Sequence, residues 1–486
     1  MNPTQSIWYI RILPEIILTV FGTIVMMVDP LLDDHNNRKS LGIISAVGVV
    51  AAIAATYQQA ANASVAYGNA FFDMIRVDTF SVFFHMVVLL VALAAILMSF
   101  EYLSVQHLRH GEYYGLILYG AVGMCLMSSA IELVLIFIAL EISSISTYIL
   151  AGFRRKHAES TESSLKYFLL GSFATAFFLY GVALIFGATG STQVDDISSF
   201  LRTHPPMTLP YIAMALMFVG LGFKVAAAPF HTWTPDVYEG APAPVVGLMS
   251  TAPKAAAFAV LLRVLFGTSA PGWFWLIWVA AALSMTIGNL GALVQSNVKR
   301  LLAYSSIAHA GYLLVAFAAV KNLDFGISAA MFYAASYAAM NVGAFAVVSH
   351  FANAGEKFVQ IDDYAGLGKR APLLAAILTF FLLSLIGIPI TGGFFAKFYV
   401  FSAALKSSLI WLTIIGVINS AIGAYYYLRI IVMMYMKEPQ SDAEIPSIPF
   451  GAGAAMVGSL LVTLYLGVLP NRVLGYALQS AKDLLR

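Results

Sequence analysis

Long apolar runs separated by short polar loops fill most of the chain. A helix needs about 20 apolar residues to cross a hydrocarbon core of roughly 30 Å. The runs of that order predict an all-α polytopic membrane protein with about fourteen transmembrane helices. We place the helices near residues 7 to 28, 41 to 63, 79 to 100, 113 to 129, 131 to 153, 161 to 188, 209 to 236, 243 to 266, 273 to 294, 297 to 319, 325 to 349, 371 to 405, 410 to 436 and 448 to 469.

The seventh and twelfth runs contain helix breakers beside a lysine. In both, a glycine is followed eight residues later by a phenylalanine, from Gly222 to Phe230 and from Gly387 to Phe395. The breaks lie five helices apart, so the spacing predicts an internal repeat whose two copies cross the membrane in opposite directions. Backbone groups freed at such breaks are tolerated only against protein or water, which predicts hydrated interior cavities.

Basic residues favour the loops that follow odd-numbered helices. Those loops contain Arg38, Lys39, Arg109, Arg154, Arg155, Lys156, Lys299, Arg300, Lys357, Lys369, Arg370 and Lys437. The even-numbered helices are followed by far fewer, namely Arg76, Arg202, Lys321 and Lys406. By the positive-inside rule the first set lies in the cytoplasm, and both termini are predicted on the non-cytoplasmic side.

Composition narrows the chemistry that the chain can perform. It is 60% hydrophobic and 10% charged, against about a quarter charged in soluble domains. The net charge is only +2 and the basic residues are scattered along the chain, which argues against nucleic-acid binding. Cys125 is the only cysteine, so a self-contained iron–sulfur cluster is excluded, and the sequence lacks nucleotide-binding glycine motifs. We therefore expect no cofactor in this chain. The first run holds Pro14 and Glu15 without a cleavage site, which predicts a retained helix.

Four charged residues fall inside predicted helices, far from water: Glu141, Lys224, Lys254 and Lys397. Each charge at a helix centre opposes insertion by about 2.5 to 3.5 kcal/mol. One interpretation is structural, with opposite charges paired to hold the bundle together. The excess of three lysines over one acid favours a second interpretation. In it, some lysines are neutral at rest because removal from water disfavours the charged form. Residues poised in this way can relay protons.

Further candidates lie nearby. His309 follows Lys299 by ten residues and has neighbouring hydroxyls, which suits either a relay or a satisfied buried imidazole. Glu162 and Lys166 are spaced as a helix-face pair that could be part of a pathway or simply solvated. His231 in the first break is open to both interpretations. The second half lacks a central acid, so the buried charges are not expected to neutralise one another.

Two long blocks carry a resemblance to a known family. The block from Gly222 to Pro244 and the block from Asn297 to Tyr312 resemble the antiporter-like subunits of respiratory complex I. The block from Ser163 to Phe168 and the lysine at position 397, where subunit M has a glutamate, are most similar to the subunit N branch. The resemblance extends over essentially the whole chain.

The resemblance implies a fourteen-helix fold with two inverted five-helix repeats, helices 4 to 8 and 9 to 13, and discontinuous helices 7 and 12. As domains it implies one membrane unit with the following parts: residues 1–105, a three-helix segment; 113–266, the first repeat; 273–436, the second repeat; and 448–486, the C-terminal helix. Residue by residue, Glu141, Lys224, Lys254 and Lys397 look like the proton-translocating residues of helices 5, 7, 8 and 12. Lys299 and His309 resemble the positions in helix 10.

The resemblance also implies a function. The complex oxidises NADH, passes electrons through FMN and iron–sulfur clusters to a quinone, and pumps protons across the bacterial inner membrane. This chain would couple the pumping to electron transfer in its partners. Those partners are a neighbouring antiporter-like subunit, small membrane subunits and a peripheral redox arm, all in contact with lipid. Multisubunit cation/proton antiporters and membrane-bound hydrogenases share the fold and stay open as alternatives, as does a scaffold.

Overall fold

A computed structural model shows a bundle of long helices in which the N-terminal quarter carries one small β-hairpin. It describes residues 3–32, 38–108, 110–268, 273–319, 323–352, 354–439 and 445–485. Arg109 and Lys321, which enter the loop charge bias, lie outside this part of the chain.

The described part of the N-terminal quarter contains five α-helices and the hairpin. Its elements are α1 (Pro3–Arg11), α2 (Leu13–Val28), α3 (Lys39–Ala61), α4 (Ala63–Ala66), β1 (Gly68–Ala70), β2 (Ile75–Val77) and α5 (Thr79–Val105). The two strands pair antiparallel, and Arg11 braces them by donating to backbone carbonyls of Tyr67 and Asn69. Asp78 caps α5 through the backbone amide of Ser81 at 2.7 Å, which fixes where this long helix begins.

The middle of the chain, as far as the structure describes it, forms eight α-helices. They are α6 (Glu112–Ser129), α7 (Leu133–Ala151), α8 (Ala158–Thr189), α9 (Val194–Thr203), α10 (Thr208–Val225), α11 (Thr234–Gly240), α12 (Ala243–Met249) and α13 (Ala252–Thr268). The described residues after these form nine more α-helices. They are α14 (Trp273–Leu293), α15 (Val298–Ala318), α16 (Leu323–Phe351), α17 (Leu367–Arg370), α18 (Pro372–Ile386), α19 (Gly392–Lys406), α20 (Ile410–Met436), α21 (Phe450–Val468) and α22 (Pro470–Leu484).

In the described ranges, twelve helices are long and apolar enough to cross a membrane. The structure therefore confirms a polytopic helical membrane protein. The predicted runs near 113 and 371 lie outside the twelve. The first forms α6, whose glycines, serines and tyrosines dilute its hydropathy, and the second forms α18 and α19, each only 15 residues long.

Apolar side chains cover the outside of the bundle as well as its core. Large side chains such as Phe173 and Trp411 are exposed on outer helices, as expected where lipid replaces water. The helices α12 to α13, α15 and α16 lie at the centre and are almost wholly enclosed. Lysine, histidine and serine side chains on these central helices are consequently shielded from solvent.

The helices α10 and α18 end in the same way. Each stops at a residue in the left-handed conformation, Ala226 with φ of 60° and Gly387 with φ of 97°. The amide of the following residue then donates to the carbonyl five positions back, at 2.8 Å in the first break and 3.1 Å in the second. This is the Schellman arrangement. Gly222 supplies that carbonyl in the first break, whereas Gly387 is itself the cap. The glycine spacing seen in the sequence therefore does not align equivalent positions.

The helices α7 and α15 begin in the same way. Glu132 accepts from the second and third amides of α7 at 3.0 and 2.7 Å, and Asn297 accepts from the corresponding amides of α15 at 2.9 and 3.2 Å. Each cap residue also forms an isolated antiparallel bridge to a loop, Glu132 with Gln193 and Asn297 with Gln360. A buried polar cap pinned to a loop sets the position of both helices along the bundle.

Candidate functional site

Lys224 lies in the last turn of α10, at the first helix break, and is 3% exposed. Its Nζ donates to Ser144 Oγ on α7 at 2.9 Å, and that hydroxyl donates onward to the carbonyl of Leu140 at 2.6 Å. The break is closed beneath it by Trp233, whose indole N–H donates to the carbonyl of Phe223 at 3.1 Å. One carbonyl freed by the break is thus satisfied, as burial requires.

Aromatic rings complete the surroundings of Lys224. Its Nζ lies 6.0 Å from the ring centre of Tyr148 and 5.8 Å from that of Tyr167, and Trp233 stacks on Tyr167 at 4.4 Å. Ring faces attract a cation by roughly 0.5 to 2 kcal/mol. Glu141 lies one turn before Ser144 on α7, but these described side chains of Glu141 and Lys224 form no ion pair with each other. Glu141 Oε1 is buried without a protein partner.

Lys254 on α13 reaches into the second half of the chain. Its Nζ donates to Ser306 Oγ on α15 and lies 5.7 Å from the ring centre of Tyr238. Lys254 is 3% exposed, and Ser306 is fully buried. A hydroxyl and a ring therefore hold this ammonium, in the same manner as Lys224.

His309 lies one turn after Ser306 and joins two phenols. Its Nδ1 is 2.7 Å from Tyr333 Oη and its Nε2 is 3.3 Å from Tyr427 Oη, which in turn hydrogen-bonds Ser305. A cavity of about 10 Å³ separates His309 from Lys254, close to the smallest space that holds one water molecule. Neutral imidazole donates at one nitrogen and accepts at the other, so the contacts suit proton transfer in either direction.

Lys397 on α19 folds back onto the second break. Its Nζ donates to the carbonyls of Leu385 and Ile386, at 3.1 and 2.8 Å, and to Ser420 Oγ at 2.9 Å. These carbonyls belong to the last turn of α18, where a positive charge complements the helix dipole. The Nζ also lies 5.1 Å from the ring centre of Tyr312. Lys397 therefore caps one half-helix from the other.

Four buried basic side chains are thus held by hydroxyls, rings and carbonyls, and we call them the basic row. The basic row comprises Lys224, Lys254, His309 and Lys397. In the described part of the chain, none of the four forms an ion pair with an acid.

Lys299 differs from the basic row, because it pairs with an acid that the sequence analysis did not single out. It lies in the first turn of α15, where its Nζ contacts Glu356 Oε2 at 2.6 Å and the carbonyl of Ala241 at 2.6 Å. Glu356 follows α16 and also accepts from Tyr102 at 2.7 Å, while its Oε2 lies 2.8 Å from Arg154 NH1. We call Lys299, Arg154, Glu356 and Tyr102 the ionic cluster. It neutralises the lysine that the sequence leaves without an acid.

The electrostatics of the ionic cluster favour the charged carboxylate. Burial by itself raises the pKa of Glu356, but the charges of Lys299 and Arg154 lower it more, so the pKa lies below its ordinary value of 4.5. The backbone amide of Ala243, at the start of α12, donates to Glu356 Oε1 at 2.8 Å. One carboxylate thereby joins three helices, α5, α12 and α15, to the loop that carries Arg154.

The additional candidates lie at the edge of the bundle. Glu162 and Lys166 form an ion pair of 2.7 Å on α8 and are 63% and 41% exposed. Lys166 also contacts Asp236 at 2.7 Å, and Asp236 pairs with Arg300 at the same distance. His231 is half-buried in the first break, and its Nδ1 has no protein partner.

The sequence analysis did not identify the serine hydroxyls that accept hydrogen bonds from the lysines. Ser144, Ser306 and Ser420 carry no signal of their own, because serine is common in membrane helices. Their spacing from the lysines was informative only once the helices were paired. Glu356 gave no signal either, since a single acid in a polar loop is ordinary.

Known proteins resemble the chain over almost its entire length. The membrane family described as NADH:quinone oxidoreductase/Mrp antiporter matches residues 130–423. The chain is 67% identical over 485 residues to NADH-quinone oxidoreductase subunit N 2 of Koribacter versatilis, covering 99% of this chain and 98% of that one.

Solved structures are also similar to the chain over almost its entire length. A chain of respiratory complex I from Thermus thermophilus with bound aureothin has 36% identity and a TM-score of 0.80, covering 95% of this chain and 98% of that one. A chain of the Mrp complex from a Dietzia species, with 21% identity and a TM-score of 0.82 over 97% of both chains, shares the fold alone. The chain belongs to the NADH:quinone oxidoreductase/Mrp antiporter membrane family, within its NADH-quinone oxidoreductase subunit N branch.

Proposed function

We propose that this chain is the proton-translocating membrane subunit of a bacterial NADH-quinone oxidoreductase. The observation that carries the proposal is the basic row, because its side chains have partners that can pass a proton and lack the acids that would fix a charge. A buried ammonium without a carboxylate is costly, so each site favours alternation between charged and neutral forms.

Glu141 tunes the first member of the row. It lies on the same helix as Ser144, the acceptor of Lys224, with one carboxylate oxygen buried and unpartnered. A negative charge on Glu141, one helical turn from Ser144, favours the protonated form of Lys224 without holding it in an ion pair. Neutralising Glu141 would then release the proton of Lys224.

Similar helix starts support two inverted repeats, residues 113–266 and 273–436, within fourteen crossings. From the cap residues Glu132 and Asn297, the ninth residue onward is Glu141 in α7 and Ser306 in α15. In this register serine occupies the position of the acid in the second repeat, and it accepts from Lys254 of the first. The interrupted pairs α10–α11 and α18–α19 would each form one discontinuous crossing.

The ionic cluster and the pairs around Lys166 border the pathway. Lys299 is the proposed translocation residue at the cytoplasmic end of α15, with Glu162, Lys166 and His231 as further candidates for proton entry. The loop charges support a cytoplasmic position for this end and a non-cytoplasmic position for both termini in the inner membrane.

The redox chemistry lies in other chains of the complex. NADH, FMN, iron–sulfur clusters and quinone are bound by partners that include a peripheral redox arm, a neighbouring antiporter-like subunit and small membrane subunits. The subunit N relatives support this assignment.

The test replaces Lys224 with methionine in the intact complex, reconstituted in vesicles. NADH oxidation is measured with an uncoupler and proton uptake with a pH-sensitive dye. We expect Lys224→Met to assemble and to lose most of the protons moved per NADH. The control Lys156→Met removes an exposed loop lysine and should pump normally. Normal pumping by Lys224→Met would contradict the proposal.

A cation/proton antiporter is the competing function, since the family includes Mrp proteins. Purification through a tag on this chain separates the two. Flavin and iron–sulfur absorbance should accompany the chain. Their absence, together with sodium-driven proton movement in vesicles without NADH, would favour the antiporter.

A further inference from the structure

A second group of buried titratable side chains lies outside the basic row, between α2, α5 and α6. Glu15 is in the first turn of α2 and is 4% exposed, and His85 on α5 is fully buried. Glu15 Oε1 lies 3.5 Å from His85 Nε2. The proposed pathway uses neither residue.

The hydrogen bonds assign the protons of this pair. His85 Nε2 lies 3.0 Å from the carbonyl oxygen of Cys125, which can only accept, so Nε2 carries the hydrogen and Nδ1 is the free acceptor. In the described part of the chain, neither carboxylate oxygen of Glu15 has a hydrogen-bond partner. Nδ1 of His85 has none either. A buried carboxylate in that state is costly by several kcal/mol, whereas a neutral carboxyl group is far less so.

Glu15 lines a groove on the surface of the bundle. The groove has a volume of about 460 Å³ and lies between α2, α6, the start of α7 and the β-hairpin. Glu15 and Thr19 supply its polar atoms, and side chains such as Phe71, Met74 and Leu135 line the rest. Glu15 therefore lies in the wall of a surface groove, although its carboxylate oxygens are themselves buried.

A buried cation close to His85 is already neutralised. Arg263 on α13 forms two contacts with Asp78, at 2.8 and 3.0 Å, and donates to the carbonyl of Ser128 at 2.8 Å. Its side chain is buried. Ser128 Oγ donates to the same Cys125 carbonyl that accepts from His85. Polar contacts thus run from Asp78 to the histidine without supplying a charge to Glu15.

We propose that Glu15 and His85 form a membrane-embedded proton-binding site between α2, α5 and α6. The proton resides on Glu15 and exchanges with water through the groove. The proposal goes beyond the proposed function, because it needs neither the basic row nor electron transfer.

Infrared spectroscopy of the intact complex tests it. The difference between wild type and Glu15→Gln, both at neutral pH, should contain one protonated carboxyl C=O band that is lost in the variant. The band should shift when the complex is transferred to D2O. A missing band would show that Glu15 is ionised, and a band that does not shift would show that the site is sealed. Either result overturns the proposal.

Chemical labelling of the wild-type complex covers the case in which Glu15→Gln fails to assemble. Dicyclohexylcarbodiimide, an apolar reagent, adds to protonated carboxyl groups and should label Glu15, as detected by peptide mass spectrometry. The control acid Glu438 is 83% exposed and should react only with a water-soluble carbodiimide. Absence of label on Glu15 in wild type would also overturn the proposal.

Discussion

Lys299 and Lys254 are both buried lysines, yet the bundle holds them in opposite ways. Lys299 contacts the carboxylate of Glu356, whereas Lys254 contacts a serine hydroxyl and a tyrosine ring. The first arrangement fixes a charge, because carboxylate and ammonium neutralise each other. The second leaves the charge uncompensated, so losing a proton relieves the burial cost. The ionic cluster therefore holds its charges fixed at the pathway border where Lys299 lies, whereas the basic row can change charge along the pathway.

The largest effect should come from removing a member of the basic row. In Lys254→Met we expect proton pumping to fall by about a hundredfold or more, as when a positioned proton-transfer group is lost. Stability should change by no more than about 1 kcal/mol, since an apolar side chain replaces an uncompensated charge. Dye-quench assays and thermal denaturation measure the two quantities.

Lys369→Met is the control for that experiment, because it removes an exposed lysine that contacts Glu438. It should leave both quantities unchanged. A destabilised but actively pumping Lys254→Met complex would reverse the assignment.

Breaking the ionic cluster should give the opposite signature. Glu356→Gln leaves Lys299 and Arg154 buried without their acid, and we expect a loss of about 3 to 5 kcal/mol in stability or failed assembly. Thermal denaturation of the purified complex checks this. In the control Glu239→Gln, a partly exposed acid that pairs with Arg300 is neutralised, with an expected loss below about 1 kcal/mol. Equal losses in the two variants would remove the distinction between the regions.

The hydroxyl acceptors should contribute less. Ser306→Ala deprives Lys254 of its side-chain acceptor and should destabilise the complex by about 1.5 to 3 kcal/mol, the range for a hydrogen bond to a charged group. In a Lys254→Met background the same change should have little effect. Additive losses in the double variant would mean that the two residues do not interact.

Acid should weaken the ionic cluster by a smaller amount. The pKa of Glu356 is depressed by Lys299 and Arg154, so its stabilising contribution is complete above the ordinary value of 4.5 and is lost as the pH falls below that value. The melting-temperature difference between wild type and Glu356→Gln should therefore be constant near neutral pH and shrink below about pH 4.5. A difference that grows with acid would contradict the depressed pKa.

The smallest effect concerns the exposed pair at the edge. Glu162→Gln removes an i, i+4 ion pair whose members are 63% and 41% exposed, and it should change stability by less than about 0.5 kcal/mol. Pumping measured in the same preparation decides whether the pair also conducts. Unchanged pumping would make it a solvated pair.

Helices and breaks could be predicted from the sequence because they follow from local properties. Hydropathy marks each long run, and Gly387 or Pro229 interrupts its run wherever the rest of the chain lies. Burial cost alone singled out Lys224, Lys254 and Lys397. These predictions needed no knowledge of which helices touch.

Long-range partners could not be predicted in this way. Glu356 is 57 residues from Lys299 and 254 from Tyr102, so only the packing of the helices brings them together. For that reason the sequence analysis did not identify the acid that pairs with Lys299. Glu15 was visible, but its sequence context argued only against a signal peptide.

Lys397 ties a chemical event to a mechanical one. Its ammonium bridges α19 to the last carbonyls of α18, so the two half-helices are held in register by a side chain that can change charge. A neutral amine still donates hydrogen bonds but no longer complements the negative end of α18. Loss of the proton would weaken the contact between α18 and α19, and its return would strengthen that contact. The strength of the contact between the two half-helices at the second break therefore depends on whether Lys397 carries its proton.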